Sequence, residues 1–215
     1  MNKVLKNLLQ NNPAIWCASE SVKDLAKKNA EGLPTGFNIL DEILPTHGWP
    51  VNTLVDVLLP RWGIGELQLL LPVFVAMTQQ QKRITWIAPP YIPYAPALAH
   101  AGIDLACLIV ISREDLGSDA GMESLWAMEK ILRNPSCGIA MLWPQNVNDK
   151  AMRRLQVAAE EGKSLGFIFR NYSVNSSPAA LRISIEMVKH QLQITILKAR
   201  GASRYRQVLI DLPII

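Results

Sequence analysis

The sequence has few of the residues that tie a chain together covalently or anchor it in a membrane. Its three cysteines, Cys17, Cys107 and Cys137, are odd in number and far apart, and no Cys or His pair has metal-ligand spacing. No apolar run is long enough to span a bilayer, and residues 1–12 lack the uninterrupted apolar stretch of a signal peptide. We therefore expect a cytoplasmic protein without disulfide, metal or other cofactor, in which Cys107 and Cys137 are buried thiols.

Charged residues are also sparse, at 19% of the 215 residues, whereas 49% are hydrophobic. This composition predicts one sizeable core. The net charge of +4 permits nucleic-acid binding without requiring it. The basic residues cluster near the end of the chain, where Lys198, Arg200, Arg204 and Arg206 fall within nine residues.

Short apolar runs alternate with helical segments from Gly32 onward. The runs predict strands at Thr53–Leu59, Arg83–Ala88, Leu105–Ser112, Gly138–Trp143 and Ser164–Arg170. Helices are predicted near Gly65–Gln81, Pro93–Ala101, Asp119–Arg133 and Asn148–Glu161, the last with Asn148 as its candidate N-cap. This alternation indicates an α/β fold, a mostly parallel sheet with helices on both faces. Two further runs, Leu181–Val188 and Leu192–Ala199, predict an antiparallel extension at the sheet edge. We assign residues 1–31 to an N-terminal helix and flexible arm, and residues 32–215 to the folded domain.

The segment Leu59–Leu67 lies where a phosphate-binding loop would lie, between a β-branched strand and a long apolar helix. A working loop reads G-x-x-x-x-G-K-[ST], in which backbone amides and the lysine hold the phosphates and the hydroxyl holds Mg²⁺. Here Gly63 and Gly65 are present, but Glu66 and Leu67 replace the lysine and the hydroxyl residue. A carboxylate repels a triphosphate and leucine cannot ligate a metal, so the pattern predicts a degenerate loop.

Two further positions of an ATPase also lack their carboxylates. The second strand is followed by Pro89-Pro90, and the fourth runs directly into Trp143-Pro144. Phosphoryl transfer depends on positioning and electrostatic stabilisation. With the cation, the metal ligand and the base all replaced, we predict that the protein is not an enzyme.

Several motifs resemble, in order, the core of the RecA recombinases. They are Thr35-Gly36-Phe37, Leu40-Asp41, Gly48-Trp49-Pro50, Val55-Asp56, Trp86-Ile87-Ala88-Pro89-Pro90 and Leu197 to Gln207. The loop, the following Leu69-Leu70-Leu71-Pro72, and Ala88 to Pro96 are similar to ImuA, the RecA-like accessory protein of bacterial mutagenic translesion synthesis. SulA, the SOS-induced cell-division inhibitor, is a shorter relative that shares the Gln68-to-Pro72 and Ala88-Pro89-Pro90 pieces.

The resemblance covers roughly Gly32 to Leu212 and implies a non-catalytic adaptor with a RecA-like core. An ImuA-like protein would bind RecA and an ImuB-type polymerase subunit that is linked to a DnaE-type polymerase. A SulA-like protein would instead bind FtsZ and halt division. Both readings make the chain a DNA-damage-response protein that acts by binding other proteins.

Candidate binding residues fall in three places. Tyr91 and Tyr94, between prolines, predict a stiff exposed edge for a partner. Tyr172, Arg170 and the Lys198–Arg206 cluster could give weak DNA binding; alternatively, Tyr172 packs over a sheet edge and the arginines are solvated. By resemblance, Lys198 and Arg200 correspond to residues that reach a neighbour's nucleotide in RecA filaments, against the alternative of surface charges at a strand end.

Tryptophans are assigned by their local context. Trp86, Trp126 and Trp143 lie in apolar periodic segments and are expected in the core, whereas Trp49 lies in a predicted loop. Trp62 is expected to fill the space of a nucleotide, or to contact a partner.

Overall fold

Residues 32–117, 119–171, 177–200 and 206–212 are described by the structure, which is a computed structural model. The predicted N-terminal helix and arm at 1–31, together with Cys17, Tyr172 and Arg204, lie outside the described residues.

Strands and helices alternate along the described residues as the apolar pattern predicts. The strands are β1 (Thr53–Leu58), β2 (Arg83–Ile87), β3 (Leu108–Ile111), β4 (Cys137–Leu142), β5 (Leu165–Arg170), β6 (Leu181–Val188), β7 (Gln191–Ala199) and β8 (Arg206–Ile210). The helices are α1 (Asn38–Ile43), α2 (Glu66–Gln79), α3 (Ala95–His100), α4 (Ala120–Leu132) and α5 (Asp149–Gly162), with a 3₁₀ turn at Leu105–Cys107. As predicted, Asn148 caps α5, because its side chain accepts a hydrogen bond from the N–H of Ala151.

All eight strands form one sheet in the order β3-β2-β4-β5-β1-β6-β7-β8. β1 pairs in parallel with β5 on one side and β6 on the other, whereas β6, β7 and β8 pair antiparallel. The turn between β6 and β7 places Lys189 and His190 at positive φ, as tight hairpins require. The predicted fold class, a mostly parallel sheet with an antiparallel edge extension, is confirmed.

Each face of the sheet carries its own buried cluster of apolar side chains. The first core cluster joins α1, α2 and α3 to the sheet and includes Leu40, Phe74, Trp86 and Phe167. The second core cluster joins α4 and α5 to the opposite face and includes Met128 and Leu155. Helices on both faces leave β1, β4 and β5 buried from both sides.

Helix α2 runs without interruption from Glu66 through Pro72 to Gln79. A proline deep in a helix predicts either a kink or a later helix start, and the start at Glu66 shows that the later start is wrong. Pro72 lies directly against Gly36 of the Thr35-Gly36-Phe37 motif, where any side chain would collide with the proline ring. The motif therefore fixes the entry to α1 against the middle of α2.

Four assignments from the sequence are wrong. Trp49 is fully buried against Phe167, with ring centroids 5.3 Å apart, although it lies between elements. Trp126 is 60% exposed on the outer side of α4. β3 lies at the sheet edge and is half-exposed, and its predicted first residues form the 3₁₀ turn. β8 is a strand that the sequence pattern does not predict, because its first two residues, Arg206 and Gln207, belong to the basic segment.

The two described cysteines are buried as expected. Cys107 closes the 3₁₀ turn and Cys137 begins β4, and both are free thiols. Burial raises the pKa of the Cys137 thiol to about 11, against smaller opposing contributions from Ser164 and Lys82.

Candidate functional site

The loop between β1 and α2 keeps the backbone shape of a phosphate-binding loop. Gly63 and Gly65 have φ angles of 78° and 109°, which side chains with a Cβ rarely adopt. Gly65 directly precedes the first helical residue, so the loop delivers its backbone N–H groups to the start of α2. Such an arrangement attracts an anion.

That anion is supplied by the chain itself. The Oε1 of Glu66 accepts a hydrogen bond from the N–H of Gly63, and its Oε2 accepts one from the N–H of Ile64, each at 2.9 Å. Glu66 is buried, with only 4% of its surface exposed. Its carboxylate therefore occupies two donors that a phosphate group would use in an active loop.

Apolar residues close the loop from the other side. A Cβ at Gly65 would lie 2.4 Å from Cδ1 of Leu212, which follows β8, and 3.7 Å from Cδ1 of Leu192 in β7. Trp62 and Leu67 are half-buried and pack against the first core cluster. Leu67 thus contributes to packing where an active loop has a metal-binding hydroxyl. The residues present do not fit a bound nucleoside triphosphate.

Aromatic rings fill the strand ends where an ATPase carries its carboxylates. After β4, the N–H of Trp143 donates to the carbonyl of Ile87, and the ring of Trp143 stacks on Phe169 at 4.7 Å. The ring centroids of Trp86 and Trp143 are 6.1 Å apart, and the two rings pack edge to face. The prediction that Trp86 and Trp143 belong to the core is confirmed, and their packing leaves no carboxylate beside the loop at these positions.

The basic cluster is held by separate partners. Nζ of Lys198 donates to the carbonyl of Ser177 at 2.7 Å, and Nη1 of Arg206 donates to the carbonyl of Ile43 at 3.2 Å. Arg200 is 75% exposed at the side chain, 3.9 Å from Glu160. Arg200 lines a pocket of about 260 Å³ with Thr53, at the end of the sheet where β1 begins. The phosphate loop lies at the opposite end of the sheet, because it follows the last residue of β1.

The tyrosine pair lies where the sequence indicates. Tyr91 and Tyr94 are exposed between β2 and α3, and Ile92 between them is more exposed still. The two rings therefore form part of an accessible edge, and their role in binding stays a prediction.

A buried charge cluster was missed by the sequence interpretation. Asp56, in the middle of β1, accepts a hydrogen bond from Nε of Arg170 in β5 at 2.8 Å. Nε of Arg182 in β6 lies 3.4 Å from the same carboxylate. All three residues are buried, so the prediction that Arg170 contributes to DNA binding is wrong. The sequence does carry a signal for this cluster, because Asp56 lies within the predicted buried strand Thr53–Leu59. A buried carboxylate requires a buried partner.

Together, the sheet and the self-occupied loop define a RecA-like α/β protein without the groups that hold a nucleotide's phosphates. The family described as "Cell division inhibitor SulA" matches residues 63–166, from the loop to β5. This region is therefore similar to the SulA family, and the match supports the SulA superfamily without singling out ImuA.

Individual relatives give the same result. Cell division inhibitor SulA of Photorhabdus laumondii is 24% identical over 122 residues, which are 57% of this chain and 66% of the relative. The proteins of the same name from Serratia proteamaculans and Serratia marcescens are each 25% identical, over 63% and 48% of this chain and 79% and 58% of the relatives. The chain thus spans about two thirds of the first of these relatives. Within the described residues, no helix is long and apolar enough to cross a membrane.

Proposed function

We propose that this protein is a non-catalytic member of the SulA superfamily that acts in the DNA-damage response by binding other proteins. The observation that carries the proposal is the hydrogen-bonded Glu66 carboxylate inside the phosphate loop. A loop whose donors are already used has no affinity to offer a triphosphate. Nothing in the loop then supports ATP hydrolysis, and the fold serves as a scaffold for binding surfaces.

The comparisons favour inhibition of cell division as the outcome of that binding. Each of the relatives described above carries the name cell division inhibitor SulA. The match includes the loop, α4 and α5, so most of the two helical faces lies within the shared region. By the resemblance to SulA, the partner would be FtsZ.

A second candidate is an ImuA-like adaptor in mutagenic translesion synthesis, which would bind RecA and ImuB-type and DnaE-type polymerase subunits. It is favoured by the parts of the RecA-like sheet outside the matched region, β1 and β6 to β8. The 75% exposed side chain of Arg200, at the end of the strands opposite to the loop, is accessible to a partner, which supports this candidate. This candidate would use Lys198 and Arg200 to dock on a RecA filament end.

Nucleotide binding is the first test. We expect no rise in melting temperature with ATP and Mg²⁺, because the Glu66 carboxylate already uses the donors of the loop. Binding would be detected easily, since a ligand at a hundred times its dissociation constant stabilises a protein by about 2.7 kcal/mol. An active RecA protein serves as the positive control. A clear ATP-dependent rise would contradict the non-catalytic proposal.

Direct binding to purified partners separates the two candidates. A division inhibitor should bind FtsZ and slow its polymerisation, whereas a translesion adaptor should bind ATP-bound RecA filaments and lose binding in a Lys198→Ala, Arg200→Ala double variant. If neither FtsZ nor RecA is bound, both candidate partners are wrong.

A further inference from the structure

Helix α4 carries apolar side chains on its solvent side as well as on its core side. Met128 and Leu132 are buried in the second core cluster. Met122 and Trp126, one helical turn apart, are 67% and 60% exposed. Nζ of Lys130 lies 5.8 Å from the Trp126 ring centroid, so a cation borders the exposed ring. A large exposed aromatic beside a second apolar residue is typical of a binding anchor.

A groove runs between these residues and α5. Its lining includes Met122, Leu125 and Trp126 from α4, and Leu155 from α5, around a volume of about 220 Å³. Arg154 lines both this groove and a wider depression of about 530 Å³ on α5, where half-exposed Val157 lies. We call these two connected hollows, with their lining residues, the α4–α5 face. Its floor is apolar and its sides are helices, which suits an incoming helix.

The rim of the α4–α5 face is basic, with Lys130, Arg133, Lys150, Arg153 and Arg154. Most of its carboxylates are already engaged. Glu129 is paired with Arg133 and Arg154, and Glu161 with Arg133. Burial alone would raise the pKa of Glu129, but the hydrogen bonds and charges of these arginines lower it below its ordinary value.

Three cations of the rim remain without a carboxylate among the described residues. Asp149, which also lines the depression, has an interaction partner, and Glu123 accepts from the N–H of Gly117. Lys130, Lys150 and Arg153 take part in no ion pair, and of these Lys130 lies over the Trp126 ring. The side chains of Lys150 and Arg153 therefore hold positive charge that a partner can neutralise.

Charge decides between the possible occupants. A second copy of this chain would bring the same cations against themselves. Residues 1–31 contain five lysines against three carboxylates, a net +2, and their apolar cluster at Val4–Leu9 follows Lys3 and includes Lys6. Both occupants would add positive charge to a basic rim, which is unfavourable.

We propose that the α4–α5 face docks an acidic amphipathic helix of a partner protein. Its apolar side chains enter the groove beside Trp126 and Met122, and its carboxylates meet Lys150 and Arg153. The inference rests on the proposed function in that it supplies the surface for a partner. It does not depend on which partner is correct.

The test uses the full chain and two synthetic amphipathic helical peptides with the same apolar face. One peptide carries Glu on its polar face and the other carries Lys. Binding is measured by fluorescence anisotropy, and its location by amide chemical-shift changes. We expect the acidic peptide to bind, the shifts to fall on α4 and α5, and the basic peptide to bind at least tenfold more weakly.

Two variants and two matched controls locate the interaction. Trp126→Ala removes the anchor, and Lys150→Glu with Arg153→Glu reverses the rim, and each is expected to weaken acidic-peptide binding at least tenfold. Ile39→Ala removes a comparably exposed apolar side chain elsewhere, and Arg61→Glu with Arg113→Glu makes the same charge change at exposed loop positions. Both controls are expected to bind as the unmodified chain does. All substituted side chains are at the surface, so thermal melts should show folded proteins.

Several results would overturn the proposal. They are equal binding of both peptides, unchanged binding by Trp126→Ala, or binding of a single-stranded oligonucleotide that depends on Lys150 and Arg153 while the acidic peptide does not bind. The assay contains no nucleotide, FtsZ or RecA. Its failure therefore leaves the proposed function standing, and failure of the FtsZ and RecA tests leaves this result unaffected.

Discussion

Glu66 stands where an active loop has lysine, and its carboxylate satisfies two backbone N–H groups that would otherwise lack a partner. The sequence predicts the loss of nucleotide chemistry from residue types alone. It does not predict these hydrogen bonds, because they depend on the left-handed turns at Gly63 and Gly65. The carboxylate is thus a structural part of the loop, in addition to being a barrier to phosphate.

Removing that carboxylate should create an anion site. In Glu66→Ala, the two N–H groups lose their acceptor, and we expect the free energy of unfolding to fall by about 1–3 kcal/mol. Inorganic phosphate should restore part of this loss by binding at the start of α2. Urea unfolding with and without phosphate measures both effects. The unmodified chain corrects for the general stabilisation by phosphate, and an equal gain in the two proteins would contradict the prediction.

Cys137 gives stability a dependence on alkaline pH. Its folded pKa is about 11, above the value of about 8.5 of an unfolded thiol. The folded state therefore keeps a proton that the unfolded state releases, so this contribution is complete below the unfolded pKa and is lost as pH rises through the folded pKa. Between pH 8 and pH 10, the unfolding free energy should fall by about 2 kcal/mol more in the unmodified chain than in Cys137→Ala. Urea unfolding at each pH measures these free energies. An equal fall in the two proteins between pH 8 and pH 10 would show the prediction to be wrong.

At the scale of elements, the junction of α4 and α5 depends on a missing side chain. A Cβ at Gly162, the last residue of α5, would lie 1.8 Å from the carbonyl oxygen of Leu132 at the end of α4. Gly162→Ala should therefore destabilise the fold by about 1–3 kcal/mol, since the helices must move apart. Gly121→Ala, whose nearest heavy atom would be 3.9 Å away, is the control and should stabilise by about 0.4–1 kcal/mol. Thermal and urea unfolding compare the two, and equal effects would refute the steric argument.

Asp56 joins the parallel part of the sheet to its antiparallel extension, because its partners Arg170 and Arg182 lie in β5 and β6. Asp56→Asn leaves two buried guanidinium groups without their counter-charge and should cost about 3–5 kcal/mol. Replacing all three residues together, with Asp56→Leu, Arg170→Met and Arg182→Met, should restore stability close to that of the unmodified chain. Urea unfolding of both variants makes the comparison. A triple variant as unstable as Asp56→Asn would show that the cluster is not a simple charge balance.

At the scale of the whole molecule, the sequence predicts the fold well because its signals are local and consistent. Apolar runs, the Asn148 cap and the turn after Val188 each mark an element where the structure has one. The sequence does not predict whether an aromatic residue faces the core or the solvent. Trp126 lies in an apolar segment but on its outer face, and Trp49 lies outside any helix or strand yet reaches the core. Those outcomes depend on packing between distant elements, as does the Asp56 cluster.

The basic cluster near the end of the chain gives a prediction for DNA binding. Lys198 and Arg206 are engaged by backbone carbonyls on different elements, so any DNA binding should be weak and independent of sequence. Arg200→Ala removes a side chain that is 75% exposed and should flatten the slope of log K against log salt by about 0.9 for duplex and about 0.7 for single strands. Fluorescence anisotropy across a salt series measures the slope. An unchanged slope would exclude Arg200 from the phosphate contacts.

The central position of β1 has a consequence for how the chain folds during its synthesis. β1 ends at Leu58, but one of its neighbours begins only at Leu165 and the other at Leu181. At a synthesis rate of about 5–20 residues per second, this buried strand waits for roughly 5–20 s before either partner has been made. Until β5 leaves the ribosome, the unpaired edges of β1 are open to pairing with other chains.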